Sequence, residues 1–446
     1  MISDIITPLK GKKLLLLGFG REGRASYDLI RRYLPEQPLT IADQKPVDLS
    51  ALEYADGLFG EGYQDTLMDY DLILKSPGIV LKDKSPALLR KVTSQTELFL
   101  NAFRDQVIGI TGTKGKSTTT SLIHHVIHSV NPDCLLMGNI GIPAFSLAEQ
   151  VGPETVIVYE LSCHQLEYTR VSPHVAVLLN LFEEHLDHYG TKEAYFDAKR
   201  NICRYQKPGD YYFCNVLQKD DVAPLAAKRF TLCQNGEGDI SVNGREIRFG
   251  GHTLLLPEGC CPLVGEHNLY NIMTAYGVAR LYGVSDEAFL TAIADFSPLP
   301  HRLRNIGTYD GVTYYDDSIS TACETAIQAM ESLKHPGVGS LLLGGMDRGI
   351  DYRSLCGYLM QNPPEHLILM PDSGLRIGRM LEELGYSRPV HPVAGLKEAV
   401  ETAKQVTPKG KICLLSPAAA SYGFFKNFEE RGDCFCACVR GQEAQT

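Results

Sequence analysis

Between Ile108 and Ser121 the chain reads I-G-I-T-G-T-K-G-K-S-T-T-T-S, an apolar strand, a glycine-rich turn and a hydroxyl-rich helix start in direct succession. Strand, tight turn and helix in that order are the building unit of α/β folds with parallel sheets. Gly112 and Gly115 let the backbone turn sharply and present its N–H groups to a phosphate. The helix that follows directs its positive N-terminal end at the same place. Lys116 has the reach for a β- or γ-phosphate oxygen, and the Ser117 hydroxyl suits Mg²⁺. The strict spacing G-x-x-x-x-G-K-[ST] fails because Ile110 stands five before Gly115, which leaves the shorter T-G-T-x-G-K-S. A bland Gly/Lys turn does not explain the sequence of elements; a nucleoside triphosphate site does.

Bulk properties narrow the rest. A chain of 446 residues exceeds a single core and implies roughly two to four domains. With 44% hydrophobic and 22% charged residues it has the composition of a soluble globular protein. A net charge of −10 argues against nucleic acid as a partner. No stretch approaches the ~20 apolar residues of a membrane span, and M-I-S-D-I-I-T-P lacks the features of a signal peptide. The 13 cysteines include no C-x-x-C pair, which fits a reduced cytoplasm. The run Cys434, Cys436, Cys438 has the look of metal ligands, but alternation on a strand or plain burial accounts for it better.

Three blocks follow one another. The first opens with a strand at 13–17, the turn G-F-G-R-E-G, a helix, a strand ending at Asp43 and another apolar strand within 70–78. The second restarts near 101–105 and adds near-continuous apolar runs at 154–160 and 174–180, as expected of parallel strands buried on both faces. The third restarts after P-L-P-H-R-L-R at 298–304, with strands at 339–345, 366–370 and 411–416. Helical stretches between these strands make the whole chain α/β. The segment 229–256 alternates polar and apolar residues between Gly turns and reads as a small antiparallel insertion.

Polar residues collect at the strand ends, where open α/β sheets place their sites. Glu160 ends V-I-V-Y-E; beside a phosphate loop it suits a Mg²⁺ ligand, since Mg²⁺ takes carboxylates together with phosphate oxygens. Asn180 ends the next strand, and N-L-F-E-E-H-L-D-H-Y-G places His185 five residues on. Lys199 lies in a helix over 193–203 and taken alone is a surface lysine. G-E-H-N-L-Y-N opens a helix with His267, Asn268 and Asn271, more polar residues than one N-cap needs. In Y-Y-D-D-S-I-S-T, Asp317 suits a helix cap or a site, and Ser318 reads better as a cap.

Taken together, T-G-T-K-G-K-S-T, G-N-I-G at 138–141, E-L-S at 160–162, H-L-D at 185–187, the Lys199 helix, H-N-x-x-N, H-R at 301–302 and D-D-S at 316–318 resemble the Mur ligase family, in order across all three blocks. The stretch L-S-P-A-A-A-S-Y-G-F-F-K-N-F-E-E-R-G at 415–432 is similar to the D-glutamate-adding branch. The resemblance implies three α/β domains: a Rossmann-like UDP-sugar-binding domain over 1–101, a central P-loop ATPase-like domain over 102–302 and a Rossmann-like amino-acid-binding domain over 303–446. Substrates would converge in the cleft between them.

The same resemblance implies an ATP-dependent ligase that phosphorylates the alanyl carboxylate of UDP-N-acetylmuramoyl-L-alanine. D-Glutamate would then attack the acyl phosphate, in peptidoglycan precursor synthesis. Gly112, Thr113, Lys114, Gly115, Lys116, Ser117 and Thr118 would hold the triphosphate, and His267, Asn268, Asn271, Arg302 and Asp317 the adenosine. Of two Mg²⁺ ions, one would sit on Ser117 and Glu160 and the second on His185 and Lys199, the latter carbamylated. Gly20, Arg21, Glu22, Asp43, Gly78 and Asn139 would meet the UDP-sugar, and Thr321, Arg348, Ser421 and Phe428 the D-glutamate. The partners implied are small molecules alone, without nucleic acid or membrane, for a cytoplasmic monomer. Two departures stand out: Ile319 and Arg348 occupy positions where better-known members carry lysine. Arginine still grips a carboxylate, and bidentately.

Gly18, Gly20 and Gly23 after a strand, with Asp43 after the next, also satisfy a dinucleotide fingerprint, so an NAD-dependent dehydrogenase is a rival reading. Its first block is about half the size of a two-halved dinucleotide fold, and an independent ATP site follows. A nucleotide switch without catalysis and a sibling ligase of the folylpolyglutamate type compete as well.

Overall fold

The computed structural model describes residues 2–221, 226–263 and 265–442. Three sheets carry the architecture, as the three sequence blocks anticipate. The first holds five parallel strands in the order Ala55–Phe59, Leu39–Asp43, Leu14–Leu17, Leu72–Lys75, Val92–Thr93. Four consecutive leucines make the central strand, and all four are buried. The chain then turns through Gly18 into helix Arg21–Tyr33. A Cβ on Gly23 would lie 2.3 Å from the Gly18 carbonyl oxygen, so the third glycine of the fingerprint is required for helix and turn to pack.

The second sheet has nine strands, in the order His252–Leu255, Glu246–Phe249, Ile240–Asn243, Lys228–Gln234, Tyr211–Asn215, Val175–Leu178, Val107–Thr111, Val156–Glu160, Cys134–Gly138. Every residue of Val107–Thr111 and Val156–Glu160 is buried, the signature of parallel strands covered on both faces. The segment expected as a small antiparallel insertion extends this sheet and is antiparallel only in part. Lys228–Gln234 pairs parallel with both neighbours, and only the last three strands form an antiparallel meander. Alternation reports one solvated face; it carries no information about the direction of pairing.

These two sheets belong to one compact unit, built on residues up to Cys261 together with Leu269–Phe296. They share an apolar core in which Phe99 packs edge-on against Tyr159, with ring centroids 5.7 Å apart.

A second unit comprises Pro262–Asn268 and residues from Ser297 on. Its six-stranded sheet runs Arg304–Tyr309, Val312–Asp316, Ile412–Leu415, Val338–Gly345, His366–Asp372, Val390–Pro392, parallel except for the first pair. The cysteine run falls in helix Phe428–Arg440 rather than on a strand: Cys436 is buried, and Cys434 and Cys438 are half-buried. Among the described residues no helix is long and apolar enough to cross a membrane.

Candidate active site

Strand Val107–Thr111 lies between Val156–Glu160 and Val175–Leu178, so the loops leaving all three emerge side by side. That adjacency assembles the phosphate loop, Glu160 and the segment leading to His185. Gly112 and Gly115 adopt φ values of +156° and +83°, and Gly115 caps helix Lys116–His128. A Cβ on Gly112 would come within 2.9 Å of the Leu179 Cβ.

Asn180 clamps the loop with both ends of its amide. Its Oδ1 accepts from the Lys114 N–H at 2.8 Å, and its Nδ2 donates to the Lys114 carbonyl at 2.9 Å. Its own carbonyl accepts from the Thr113 N–H at 2.9 Å. Sequence reasoning assigns Asn180 no role; its only signal is a polar residue ending an apolar strand. Lys114 forms an ion pair with Glu184, and Thr118 is buried in the first helical turn.

Two ammonium groups converge on one carbonyl. Lys116 Nζ donates to the Gly112 and Thr113 carbonyls, each at 2.9 Å, and Lys199 Nζ donates to the same Gly112 oxygen at 2.8 Å. Lys199 is only 1% exposed, so the surface lysine expected from local sequence is a core residue. Helix Lys192–Arg204 turns Tyr195, Ala198, Lys199, Ile202 and Cys203 inward, the i, i+3, i+4 stripe of an amphipathic helix with lysine at its centre. Burial, and next the nearby Lys116 charge, push the Lys199 ammonium down to about 7.

Glu160 is completely buried. Asn139 Nδ2 donates to its Oε1 at 2.6 Å, whereas its Oε2, also walled from solvent, has no hydrogen-bond partner among the described residues. A buried carboxylate oxygen left open is costly unless a cation meets it. Together with the Ser117 hydroxyl at the helix start, this hard oxygen donor set fits Mg²⁺. His185 adopts a left-handed conformation, φ 56°, on an exposed loop. The Tyr195 ring lies 5.8 Å from the His185 ring and 4.9 Å from Lys199 Nζ, and the Tyr195 hydroxyl meets Thr113 Oγ1 at 3.2 Å.

In the first sheet's loops, Gly20 caps the helix, Arg21 and Gly78 are exposed, and Asp43 Oδ2 accepts from the Phe19 N–H at 2.8 Å. Glu22 turns inward: Gln165 Nε2 donates to its Oε1 at 2.8 Å, and burial pushes the carboxyl up to about 6. Lys75, for which the sequence carries no local signal, is buried 3.9 Å from Glu167 and lowered to about 8 by desolvation.

Asn271 joins the phosphate-loop helix, accepting from Thr119 Oγ1 at 3.1 Å. Of the other residues assigned to adenosine, His267, Asn268, Arg302 and Asp317 belong to the second unit. Burial lowers the His267 imidazole. Asp317 is buried, accepting from the Leu303 N–H at 3.0 Å and from the Ser320 and Ser416 hydroxyls, and desolvation raises it to about 6. Neither Asp317 nor Ser318 caps the next helix, Cys323–Ser332, whose cap is Ala322 without a side-chain bond. Ser318 Oγ instead donates to the Phe428 carbonyl at 2.8 Å.

The residues assigned to glutamate leave the C-terminal ends of adjacent strands of the third sheet. Thr321 and Phe428 are half-buried, Ser421 is buried and Arg348 is exposed. Beside Arg348, Asp347 pairs with Arg376 at 2.6 Å. Buried Arg431 stitches these loops together: Nε donates to Ser318 Oγ at 3.0 Å, Nη2 to the Ser318 carbonyl at 2.7 Å, and Nη1 to the Ala419 carbonyl at 3.0 Å. The sequence motif contains Arg431, but nothing local marks it as the tie.

Comparison with known proteins matches residues 110–279 to the Mur ligase middle domain. Over 96% of this chain and 97% of the relative, it is 34% identical to UDP-N-acetylmuramoylalanine–D-glutamate ligase of Geobacillus kaustophilus. The chain belongs to the Mur ligase family. A second relative is UDP-N-acetylmuramoyl-L-alanine–L-glutamate ligase of Salinispora tropica, 33% identical over 98% of this chain and 99% of that one. The fold agrees with solved members of the family. UDP-N-acetylmuramate–alanine ligase of Thermotoga maritima superposes with TM-score 0.62 over 96% of this chain and 99% of that one, at 17% identity. MurF ligase of the same organism, solved with ADP, gives TM-score 0.61 over 96% and 94%, also at 17% identity.

Proposed function

We propose that the enzyme joins D-glutamate to UDP-N-acetylmuramoyl-L-alanine at the expense of ATP, within the cytoplasm and as a monomer. The observation that carries the phosphoryl-transfer part is Glu160. Its buried open oxygen ends a strand that pairs Glu160 with Ile110, two residues before the phosphate loop. The nucleotide-sugar and glutamate specificity is supported by the relatives' names. Residues 1–101 would bind the UDP-sugar, 102–302 ATP, and 303–446 the amino acid.

In this reading the alanyl carboxylate oxygen attacks the γ-phosphorus and ADP leaves. The glutamate amine then attacks the acyl carbon, and the tetrahedral intermediate expels phosphate while the amine loses a proton. Two Mg²⁺ ions, held by Ser117 and Glu160 and by His185 and carbamylated Lys199, would neutralise the phosphate charge. Lys116 exchanges its Gly112 and Thr113 carbonyls for phosphate oxygens. Asn180 holds the loop's N–H groups in register, and Asn139 orients Glu160. Lys199 supports carbamylation because burial lowers its ammonium to about 7, so near neutral pH far more of it is the neutral amine that attacks CO₂ than the about one in two thousand of a free lysine. The N–C bond forms as the amine releases a proton. Arg21, Asp43, Gly20, Gly78 and the backbone at Glu22 would face the UDP, and Thr321, Arg348, Ser421 and Phe428 the glutamate.

One relative favours a second reading, in which the amino acid is L-glutamate. Phosphate release measured with ATP, Mg²⁺, each of the four nucleotide-sugar precursors and either glutamate enantiomer separates the two. Release only with UDP-N-acetylmuramoyl-L-alanine and D-glutamate is expected; equal or greater release with L-glutamate would overturn the D assignment.

A further inference from the structure

Beside the Mg²⁺ ligands lies a donor set of a different chemical kind. Cys163 and His164 open the short helix Cys163–Leu166 just after Glu160, and His185 approaches from its loop. One ligand atom from each of Cys163, His164 and His185 lies within 4.8 Å of the other two. A tetrahedral Zn²⁺ site with Zn–S and Zn–N bonds of ordinary length spaces its ligands about 3.5 Å apart, so closure takes roughly an ångström of rotation at an exposed loop histidine. His164 is already held in place. The Tyr189 ring stacks on it at 5.6 Å with the two planes nearly parallel, and the Tyr189 hydroxyl meets its Nδ1 at 3.3 Å. Such outer partners are what fix a ligating imidazole.

We infer that Cys163, His164 and His185 form a binding site for a thiophilic divalent cation of the Zn²⁺ class, with its fourth position open. A thiolate and two imidazoles suit Zn²⁺ or Co²⁺ and are poor donors for Mg²⁺, which takes oxygen. Cys163 binds as the thiolate, so its thiol proton leaves to solvent when the metal enters. Because His185 is shared, the thiophilic ion withdraws a ligand from Mg²⁺ and inhibits the ligase. That consequence rests on the functional reading above; the binding itself does not.

The test uses the intact protein and Co²⁺ alone, followed by Zn²⁺. Co²⁺ is expected to produce a near-ultraviolet thiolate charge-transfer band and intense tetrahedral visible bands, both bleached by equimolar Zn²⁺. Cys163→Ser should abolish the charge-transfer band. His164→Phe, which keeps the ring and leaves Cys163 intact, should weaken binding at least about tenfold while melting like the parent. No charge-transfer band in the parent, or a band unchanged in Cys163→Ser, overturns the site, since the thiol would then be another of the 13 cysteines or none. Zn²⁺ should inhibit the parent more strongly than His164→Phe at fixed Mg²⁺. Equal inhibition with the band intact would leave the site standing and sink the assignment of His185 to Mg²⁺.

Discussion

Replacing Lys199 by Met makes a demanding prediction, because stability and activity should move in opposite directions. The Lys199 side chain is 1% exposed and its ammonium titrates near 7, against 10.5 for the unperturbed group. The unfolded chain therefore keeps this proton up to about pH 10.5, and the native chain only to about pH 7. Between those limits the unfolded state binds more protons, so this group makes the parent more stable as pH rises and less stable as it falls. At 1.36 kcal/mol per pH unit, the native state carries a penalty on the order of 4 kcal/mol at pH 7. Methionine fills nearly the same volume without the charge and loses the hydrogen bond to Gly112, worth about 1 kcal/mol.

In Mg²⁺-free buffer stripped of CO₂, Lys199→Met should thus exceed the parent by up to about 3 kcal/mol at pH 7 in denaturant titrations. The advantage should shrink by roughly 1.4 kcal/mol per pH unit between 7.5 and 9.5. Ligase turnover should fall to near background, and a ¹³C carbamate signal seen in the parent after ¹³C-bicarbonate should vanish. A variant less stable than the parent with no pH trend would refute the desolvated lysine. Near-normal turnover would refute the carbamate.

Other consequences are simpler to measure. Lys116→Ala and Glu160→Gln should each lower turnover by at least about 10²–10³ with the fold intact by circular dichroism, the usual loss for a preorganised electrostatic contact. Arg348→Ala should raise KM for glutamate far more than KM for ATP; equal effects would return this exposed arginine to the surface. Glu22 has its native carboxyl raised from 4.5 to about 6 by burial, so it destabilises the fold as pH rises through that window. Glu22→Gln keeps an acceptor for Gln165 and should gain up to about 2 kcal/mol on the parent between pH 4.5 and 6, then stay level, as followed by melting at each pH.

What was legible in the sequence was local. The phosphate loop could be read because strand, glycines, Lys116 and Ser117 are contiguous, and the all-buried strands could be read because parallel sheets leave continuous apolar runs. Lys199 could not: its neighbours along the helix determine which face is apolar, but only the packing of that face beneath Gly112 decides that a lysine goes inside. Asn180 was visible as a strand end, yet its clamp depends on two strands being adjacent, a fact of topology. Asp317 and Ser318 looked like caps because Asp and Ser before a helix usually are. They are drawn inward by Ser416 and Arg431, about a hundred residues away in sequence. Cys434, Cys436 and Cys438 fit a period of two, but Cys434 and Cys438 equally fit one helical turn, and the helix won.

The buried charged groups share a physical character. Lys199, Lys75, Glu22, Glu160, Asp317 and Arg431 are charged groups held inside or walled from solvent, where a chain optimised for stability alone would place apolar residues. They occur beside the phosphate loop, beside the first glycine-rich turn and where the third sheet's loops meet, the places the fold assigns to ligands. Arg431 and Asp317 have their hydrogen bonds filled by carbonyls, hydroxyls and an N–H, which is how a buried charge serves as a fixed anchor for a loop. Glu160 has one oxygen left open, and Lys199 is poised between charge states. Filled groups position and open groups react: by that criterion Arg431 belongs to the architecture of the third sheet's loops, and Glu160 and Lys199 to the proposed chemistry.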